Sequence, residues 1–109
     1  MVLNYGKKEV EELILKFDEW GKSLGTRKLG RILRKEVGNL IENSNEKVIL
    51  DFRGVKTVSN SFADECFGKL VLDYGIDDLK EKTTFKNVSK EIDFNLKKAI
   101  HNRILEVEH

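Results

Sequence analysis

The chain has 109 residues, of which 39% are hydrophobic and 36% are charged, and its formal net charge is +1. A chain of this length usually forms one domain, and so small a net charge excludes a strong overall attraction to nucleic acid or to a membrane surface. The single cysteine excludes an internal disulfide and a zinc site built from several cysteines.

We therefore predict one domain over residues 1–109. No apolar stretch approaches the roughly 18 residues that a membrane helix needs. Residues 1–10 also lack the basic and then apolar layout of a signal peptide. These features predict a cytoplasmic protein without a membrane partner.

The first predicted elements are a strand and a helix. Residues 12–17 are mostly apolar and end at Asp18, which predicts a strand, and Val2–Tyr5 is predicted to be a short partner strand. Farther along, apolar residues with helical spacing predict a helix from Thr26 to Glu42, with Thr26 as its N-cap. This apolar stripe consists of Leu29, Ile32, Leu33, Val37, Leu40 and Ile41.

The middle of the chain contains the clearest strand. Residues 47–52 include three consecutive aliphatic side chains, which suits a strand that is buried on both faces. A loop over residues 54–60 is predicted to follow, and then a helix from Ser61 to Tyr74. Ser61 and Asp64 have the spacing of a capping pair, and the glycine after Tyr74 is placed to end the helix.

The last third of the chain completes an alternating order of strands and helices. Residues 83–88 predict a further strand, and Ser89 is the predicted N-cap of a final helix. The apolar residues of that helix are Ile92, Leu96, Ala99, Ile100, Ile104 and Val107. The order β-α-β-α-β-α predicts an α/β fold, with a mainly parallel or mixed sheet of about four strands and helices packed against it.

The segment 48–65, VILDFRGVKTVSNSFADE, is the most unusual part of the chain. Its pattern predicts a buried strand, then Asp51, then a loop, then the polar cluster Ser59-Asn60-Ser61 at a helix start. Loops that follow the strands of a parallel sheet form the usual recognition surface. A helix N-terminus also offers unpaired amides and the positive end of its dipole to a phosphate or an acidic side chain.

This segment resembles the central motif of STAS domains, the fold of bacterial anti-sigma factor antagonists. It is more similar still to the STAS-like group called DUF4325, in which the pattern LDF…V…SFADE recurs. Two other stretches that resemble this group are Gly25-Thr26-Arg27…Gly30 and Phe85-Lys86-Asn87…Arg103. The similarity extends from about residue 12 to residue 104 and implies a STAS-like fold.

The resemblance implies a non-enzymatic regulatory module, without a cofactor, that docks to an ATPase-fold serine kinase or an anti-sigma-like protein. In antagonist STAS proteins this kinase phosphorylates a serine at the start of the helix, and the phosphate breaks the complex. Asn60 occupies that acceptor position here, so the candidate phosphoacceptors are Ser59 and Ser61. The implied partner-binding residues are Arg53, Ser59, Asn60, Ser61, Phe62 and Asp64. A purely structural alternative is that these serines cap the helix and form a turn.

A basic face on the first helix offers a second possible function, and we expect a monomer or a homodimer in either case. Arg27, Arg31, Arg34 and Lys35 fall at positions i, i+4, i+7 and i+8, which predicts that they lie opposite the apolar stripe. Such a face can simply be a solvated side of the helix. Alternatively, it docks to nucleic acid or to an acidic protein. Nucleic acid is the less expected partner, because no RNA-binding motif or helix-turn-helix spacing is present.

The adjacent carboxylates Asp64 and Glu65 offer a third possibility, a small enzyme. No metal site is expected, because the two histidines of the chain are far away in sequence. Cys66 lies on the apolar side of its helix and is predicted to be a buried structural thiol. Phe62 and Phe67 are predicted to be core or interface residues.

Overall fold

The computed structural model describes residues 13–108, so the predicted strand Val2–Tyr5 lies outside the described residues. The strands are β1 (Leu13–Lys16), β2 (Ser23–Leu24), β3 (Val48–Asp51), β4 (Thr57–Val58) and β5 (Thr83–Lys86). The helices are α1 (Arg27–Glu42), α2 (residues 60–74), α3 (Ile76–Lys82) and α4 (Lys90–Val107). Helix α2 consists of the consecutive segments Asn60–Ala63, Asp64–Gly68 and Lys69–Tyr74, and a 3-10 turn, Phe17–Trp20, follows β1.

The strands form two parallel sheets. The larger sheet has the order β1-β3-β5, with Leu15 opposite Leu50 and Leu50 opposite Phe85. The smaller sheet pairs β2 with β4 and places Leu24 opposite Val58. The three strands predicted within this region are confirmed, but the expectation of about four strands in one sheet is wrong, since the sheets have three and two strands. Two-residue strands such as β4, within the predicted loop, are too short to show an alternating pattern.

An aromatic cluster fills the space between the larger sheet and the helices. Phe17 and Phe52 stack with their ring centroids 4.4 Å apart, and the Phe67 ring lies 5.8 and 6.1 Å from them. Phe62 and Phe67 are 0% exposed, which confirms that they are core residues. Cys66 is also fully buried, and burial raises the pKa of its thiol well above the usual value. The prediction of a buried structural thiol is therefore confirmed.

Helix α1 begins where the sequence predicts. Thr26 Oγ1 accepts a hydrogen bond from the backbone N of Leu29 at 3.1 Å, which confirms Thr26 as the N-cap. The buried residues of α1 are Gly30, Leu33, Val37 and Ile41. Ile32 belongs to the predicted apolar stripe but is 42% exposed, so the stripe that packs on the core is narrower than expected.

Helix α2 begins earlier than predicted. Ser59 has an extended backbone after β4, and its Oγ accepts a hydrogen bond from the backbone N of Phe62 at 3.0 Å. Ser59 is therefore the N-cap, and the prediction that Ser61 caps the helix with Asp64 is wrong, because Ser61 already lies inside the helix. The segment Asp64–Gly68 is a π-helical turn, a rare conformation that frequently lies at functional sites.

Two helices follow α2. Gly75 has φ 83°, a conformation that favours glycine, and it ends α2 as predicted. Helix α3 begins immediately afterwards and was not predicted, because its only apolar residues, Ile76 and Leu79, are too few to establish a periodic pattern. Ser89 Oγ accepts a hydrogen bond from the backbone N of Ile92 at 3.2 Å, which confirms the N-cap of α4.

Glycines bring helix α2 into close contact with both of its helical neighbours. At Gly30 of α1, a Cβ atom would lie only 2.9 Å from the Cβ of Glu65. At Gly68 of α2, a Cβ atom would lie 3.0 Å from the Cγ of Arg103 on α4. The π-helical turn is therefore held between α1 and α4, and this position decides which charges surround it.

Within residues 13–108, no helix has both the length and the apolar character of a membrane span. Three expectations from the sequence stay predictions. They are a single domain over residues 1–109, a cytoplasmic location, and a monomeric or homodimeric state.

Candidate functional site

The N-termini of α1 and α2 lie side by side. Pairing of β2 with β4 brings together the loops that follow these strands, and Ser59 Oγ donates a hydrogen bond to the carbonyl O of Gly25 at 2.9 Å. Thr26 and Ser59 thus cap two neighbouring helices. We call residues 25–27 together with 59–61 the cap surface. It is polar, largely exposed and close to the positive ends of two helix dipoles.

The two candidate phosphoacceptors have different environments on the cap surface. The Ser59 hydroxyl is half-buried and already engaged, because it donates to Gly25 and accepts from Phe62. Asn60 and Ser61 are exposed. Ser61 therefore has the more accessible hydroxyl, whereas a phosphate on Ser59 would break the helix cap.

The other predicted partner-binding residues are divided between the surface and the interior. Arg53 is exposed in the loop between β3 and β4. Phe62 is 0% exposed, so its side chain cannot contact a partner and its assignment to the contact surface is wrong. Asp64 is 20% exposed and is occupied by ion pairs within the chain. The accessible part of the predicted surface is therefore Arg53, Asn60 and Ser61, with Ser59 at its edge.

Asp64 connects helix α2 to helix α4 and to helix α1. Arg103 binds its two carboxylate oxygens through Nε and Nη2, both at 2.8 Å, and Arg27 Nη1 lies 3.0 Å from Oδ2. The hydrogen bonds from Arg103, followed by that from Arg27, lower the pKa of Asp64 in spite of its partial burial. This carboxylate therefore joins three helices instead of capping one.

Glu65 is a buried carboxylate at the centre of a group of cations. It is 3% exposed, and its carboxylate lies 3.1 Å from Arg27, 3.3 Å from Arg34 and 3.2 Å from Lys69, with Arg31 at 3.9 Å. Burial would raise the pKa of Glu65, but the hydrogen bonds from Lys69 and Arg27 lower it below its usual value. Glu65 is therefore ionised at neutral pH and holds α1 against α2.

The basic face of α1 differs from the prediction. Arg27, Arg31 and Arg34 flank the buried stripe on the side of α2, where they meet Glu65, and so they do not lie opposite the stripe. Lys35 is exposed, and no carboxylate of residues 13–108 lies within ion-pair distance of it. Three of the four residues of the expected free basic stripe therefore approach a carboxylate within the chain, although Glu65 balances only one of their charges.

Asp64 and Glu65 are poorly suited to proton transfer near neutral pH. A general acid needs a raised pKa, whereas both carboxyl pKa values are lowered by their cationic neighbours. The part of the chain that the structure describes contains no cluster of three or more His, Cys, Asp or Glu residues that could hold a metal ion. This geometry favours a structural role for the acidic pair.

A contact between Asp51 and Asn87 was not predicted. Asn87 Nδ2 donates a hydrogen bond to Asp51 Oδ1 at 2.8 Å, and the backbone N of Arg53 donates to the same oxygen at 3.0 Å. These two bonds, that from Asn87 first, lower the pKa of Asp51. The contact links the ends of β3 and β5 and positions the loop that carries Arg53. The signal in the sequence was a polar side chain at the carboxyl end of each of two strands that prove to be neighbours.

A comparison with known families places the central part of the chain in one of them. A family described as STAS-like domain of unknown function (DUF4325) matches residues 30–93, which include most of α1, the segment 48–65 and the start of α4. No curated protein and no solved structure matches the chain.

Proposed function

The chain belongs to the STAS-like domain family DUF4325, and we propose that it is a non-enzymatic regulatory module that docks to a protein partner through the cap surface. The observation that carries this proposal is the exposed pair Asn60 and Ser61, presented on a backbone that Ser59 anchors to the neighbouring loop. A recognition segment held in one conformation loses little conformational entropy when it binds.

The scaffold beneath the cap surface supports this proposal. The buried Glu65 and the bidentate Asp64–Arg103 pair hold α2 against α1 and α4 one turn below Ser61. Because these charged side chains pair with one another within the chain, they fix the orientation of α2 and expose its N-terminus to solvent. Residues on rigid elements position a recognition surface more accurately than residues on free loops.

The proposed partner is a serine kinase of the ATPase fold or an anti-sigma-like protein, in keeping with the resemblance to antagonist STAS domains. Ser61 is the proposed phosphoacceptor. It lies in the first turn of α2, where the helix dipole favours negative charge. A phosphate adds a charge of about −1.5 to −2 and would change both the shape and the charge of the cap surface.

Site-specific photo-crosslinking tests the docking proposal. The chain carries p-benzoylphenylalanine in place of Ser61 and is expressed in the cells from which its gene comes. We expect a discrete crosslinked protein that mass spectrometry identifies as an ATPase-fold kinase or an anti-sigma-like protein. The matched control carries the same group in place of Asp77, an exposed residue of α3. Equal crosslinking at both positions, or none at Ser61, contradicts docking at the cap surface.

Phosphopeptide mapping of the chain purified from the same cells tests the modification separately. We expect phosphate on Ser61 and its loss in Ser61→Ala. Phosphate that is absent, or that lies only at other positions, removes the phosphorylation switch but leaves the docking proposal in place.

Docking through α1 remains the second proposed function, supported by the partial exposure of two arginines. The side chains of Arg27 and Arg31 are 50% and 55% exposed although both approach Glu65. Arg31→Glu tests an adaptor that binds nucleic acid or an acidic protein there, and Lys98→Glu on α4 serves as a charge-matched control. Binding of an oligonucleotide or an acidic protein that is equal in both variants contradicts this alternative.

A further inference from the structure

An exposed phenylalanine lies next to the strand that leads into the cap surface. Phe94 on α4 is 65% exposed, more than the other large hydrophobic side chains of residues 13–108. It borders a groove of about 480 Å³ between β4 and the first turns of α4. The walls of this groove include Thr57 and Val58 on one side and Lys90 on the other. Val58 directly precedes Ser59, so the groove lies beside the strand that leads into the cap surface.

Part of the backbone of β4 beside the groove is already paired. Asn95 Nδ2 donates a hydrogen bond to the carbonyl O of Val58 at 2.8 Å, so this backbone acceptor is already occupied. The backbone N of Thr57 is directed to the other side, where it donates to the carbonyl O of Lys22 at 3.2 Å. An incoming segment therefore meets the apolar ring of Phe94 and the charged side chains around it.

Three exposed lysines lie at or near this groove. Lys90 lines it, and Lys56 directly precedes the lining residue Thr57. The backbone N of Lys56 donates to the carbonyl O of Lys22 at 2.7 Å, which brings the backbone of the third lysine next to Lys56. Within the described range 13–108, none of the three has a carboxylate at ion-pair distance. Glu91 is the carboxylate that lines the groove. On α1, by contrast, Arg27, Arg31 and Arg34 all approach the carboxylate of Glu65.

We infer that the groove binds an acidic segment of the partner that carries one large apolar side chain, and that this side chain packs on Phe94. The inference rests on the proposed docking function and names the chemistry of the partner. An aromatic side chain within a polar rim is the arrangement that most often dominates the energy of an interface. Unpaired lysines at the rim attract a partner of opposite charge and exclude a basic one.

The same features fit single-stranded nucleic acid less well. Proteins that bind single strands use a positively charged channel with several aromatic residues on which successive bases stack. Here one exposed aromatic ring stands beside Glu91, and the whole chain has a net charge of only +1. An acidic polypeptide is therefore the occupant that the groove favours.

Selection from a displayed library of random twelve-residue peptides tests this inference. We expect the enriched peptides to have a net negative charge and at least one large apolar residue. Their affinity should fall at least about tenfold with Phe94→Ala and with Lys56→Glu. Leu105→Ala is the matched control, because Leu105 is a 43% exposed apolar residue at the other end of α4, and it should leave the affinity unchanged.

Several outcomes would overturn the groove as an acidic-peptide site. These are the enrichment of no peptide, enrichment of neutral or basic peptides, and equal binding to the Phe94→Ala protein. Binding of a twelve-nucleotide oligo(dT) that is lost with Phe94→Ala, at an affinity above that of the peptides, would assign the groove to nucleic acid instead.

The photo-crosslink at Ser61 separates this inference from the proposed function. If the crosslinked partner is retained in the Phe94→Ala and Lys56→Glu proteins, docking at the cap surface stands and the groove inference falls. If acidic peptides bind the groove but no partner crosslinks at Ser61, the proposed function falls and the groove inference stands.

Discussion

Arg103 and Asp64 form two parallel hydrogen bonds, both of 2.8 Å, between helices α4 and α2. The two side chains are 22% and 20% exposed, so the pair is well shielded from solvent. Arginine and carboxylate match each other in this geometry, which a lysine cannot reproduce. The contact joins Asp64 to a residue 39 positions later in the chain.

Replacing Arg103 by Lys should lower the free energy of unfolding by about 1–3 kcal/mol, because charge remains but the paired hydrogen bonds are lost. Urea denaturation measures this loss. The exposed pair Lys97–Asp93 is the control, and Lys97→Ala should cost less than about 0.5 kcal/mol. Equal losses in the two variants would show that Arg103 contributes no more than a surface ion pair.

Replacing Glu65 by Gln should destabilise the protein by about 2–4 kcal/mol, because the surrounding cations lose their buried counter-charge. Glu36→Gln on the exposed side of α1 is the matched control, with an expected change within about 0.5 kcal/mol. Both values follow from urea denaturation at pH 7. An unchanged stability for Glu65→Gln would mean that the cations do not depend on this carboxylate.

Stability should fall as the pH is lowered below about 4.5. The pKa values of Asp64 and Glu65 are below their usual values of 3.8 and 4.5, so the unfolded chain binds protons in a range where the folded chain does not. These carboxylates contribute their full stabilisation at pH values above their pKa values in the unfolded chain. This stabilisation is lost as the pH falls through their lower pKa values in the folded chain. Denaturation series between pH 7 and pH 3 measure it, and Glu65→Gln should show a shallower fall. If the stability of Glu65→Gln depended on pH in the same way as that of the unsubstituted protein, Glu65 would not be a source of the pH dependence.

The two candidate phosphoacceptors should differ in their effect on stability. Ser59→Ala removes the N-cap of α2 and the bond to Gly25, which should cost about 1–2 kcal/mol, whereas Ser61→Ala should change stability by less than about 0.5 kcal/mol. Thermal and urea denaturation of both variants provide the comparison. Ser61 would be the structural residue if the order of the two losses were reversed.

Gly30→Ala should destabilise the protein by about 1–3 kcal/mol, because the added Cβ would lie 2.9 Å from the Cβ of Glu65 and 3.0 Å from the carbonyl O of Phe62. Gly38→Ala in the same helix is the control. Its Cβ would meet only the flexible Tyr74 hydroxyl at 3.3 Å, so the better helix propensity of alanine should leave the protein unchanged or stabilise it by up to about 1 kcal/mol. If Gly30→Ala behaved like this control, α1 and α2 would not be in close contact.

Local features of the sequence predicted the elements that depend on local physics. The aliphatic run before Asp51 is sufficient to predict strand β3, and Thr26 and Ser89 were identifiable as caps because a hydroxyl directly precedes a helical pattern. The segment 48–65, together with two shorter stretches on either side of it, carried the resemblance to the STAS-like family, and the family match confirms that resemblance. The capping serine of α2 was misplaced because Ser59 and Ser61 are equivalent in a local pattern, and only the backbone after β4 distinguishes them.

The sequence by itself determined which residues are apolar, where the long helices run and which segment carries the family motif, because these properties depend on neighbours in the chain. Only the tertiary structure decided what the charged residues do. Arg34 and Arg103 meet the acidic pair across 31 and 39 residues of chain, and Phe94 lies beside Val58 through a helix that returns to the smaller sheet. Such distant contacts arise from the packing of α2 between α1 and α4, which no local pattern encodes.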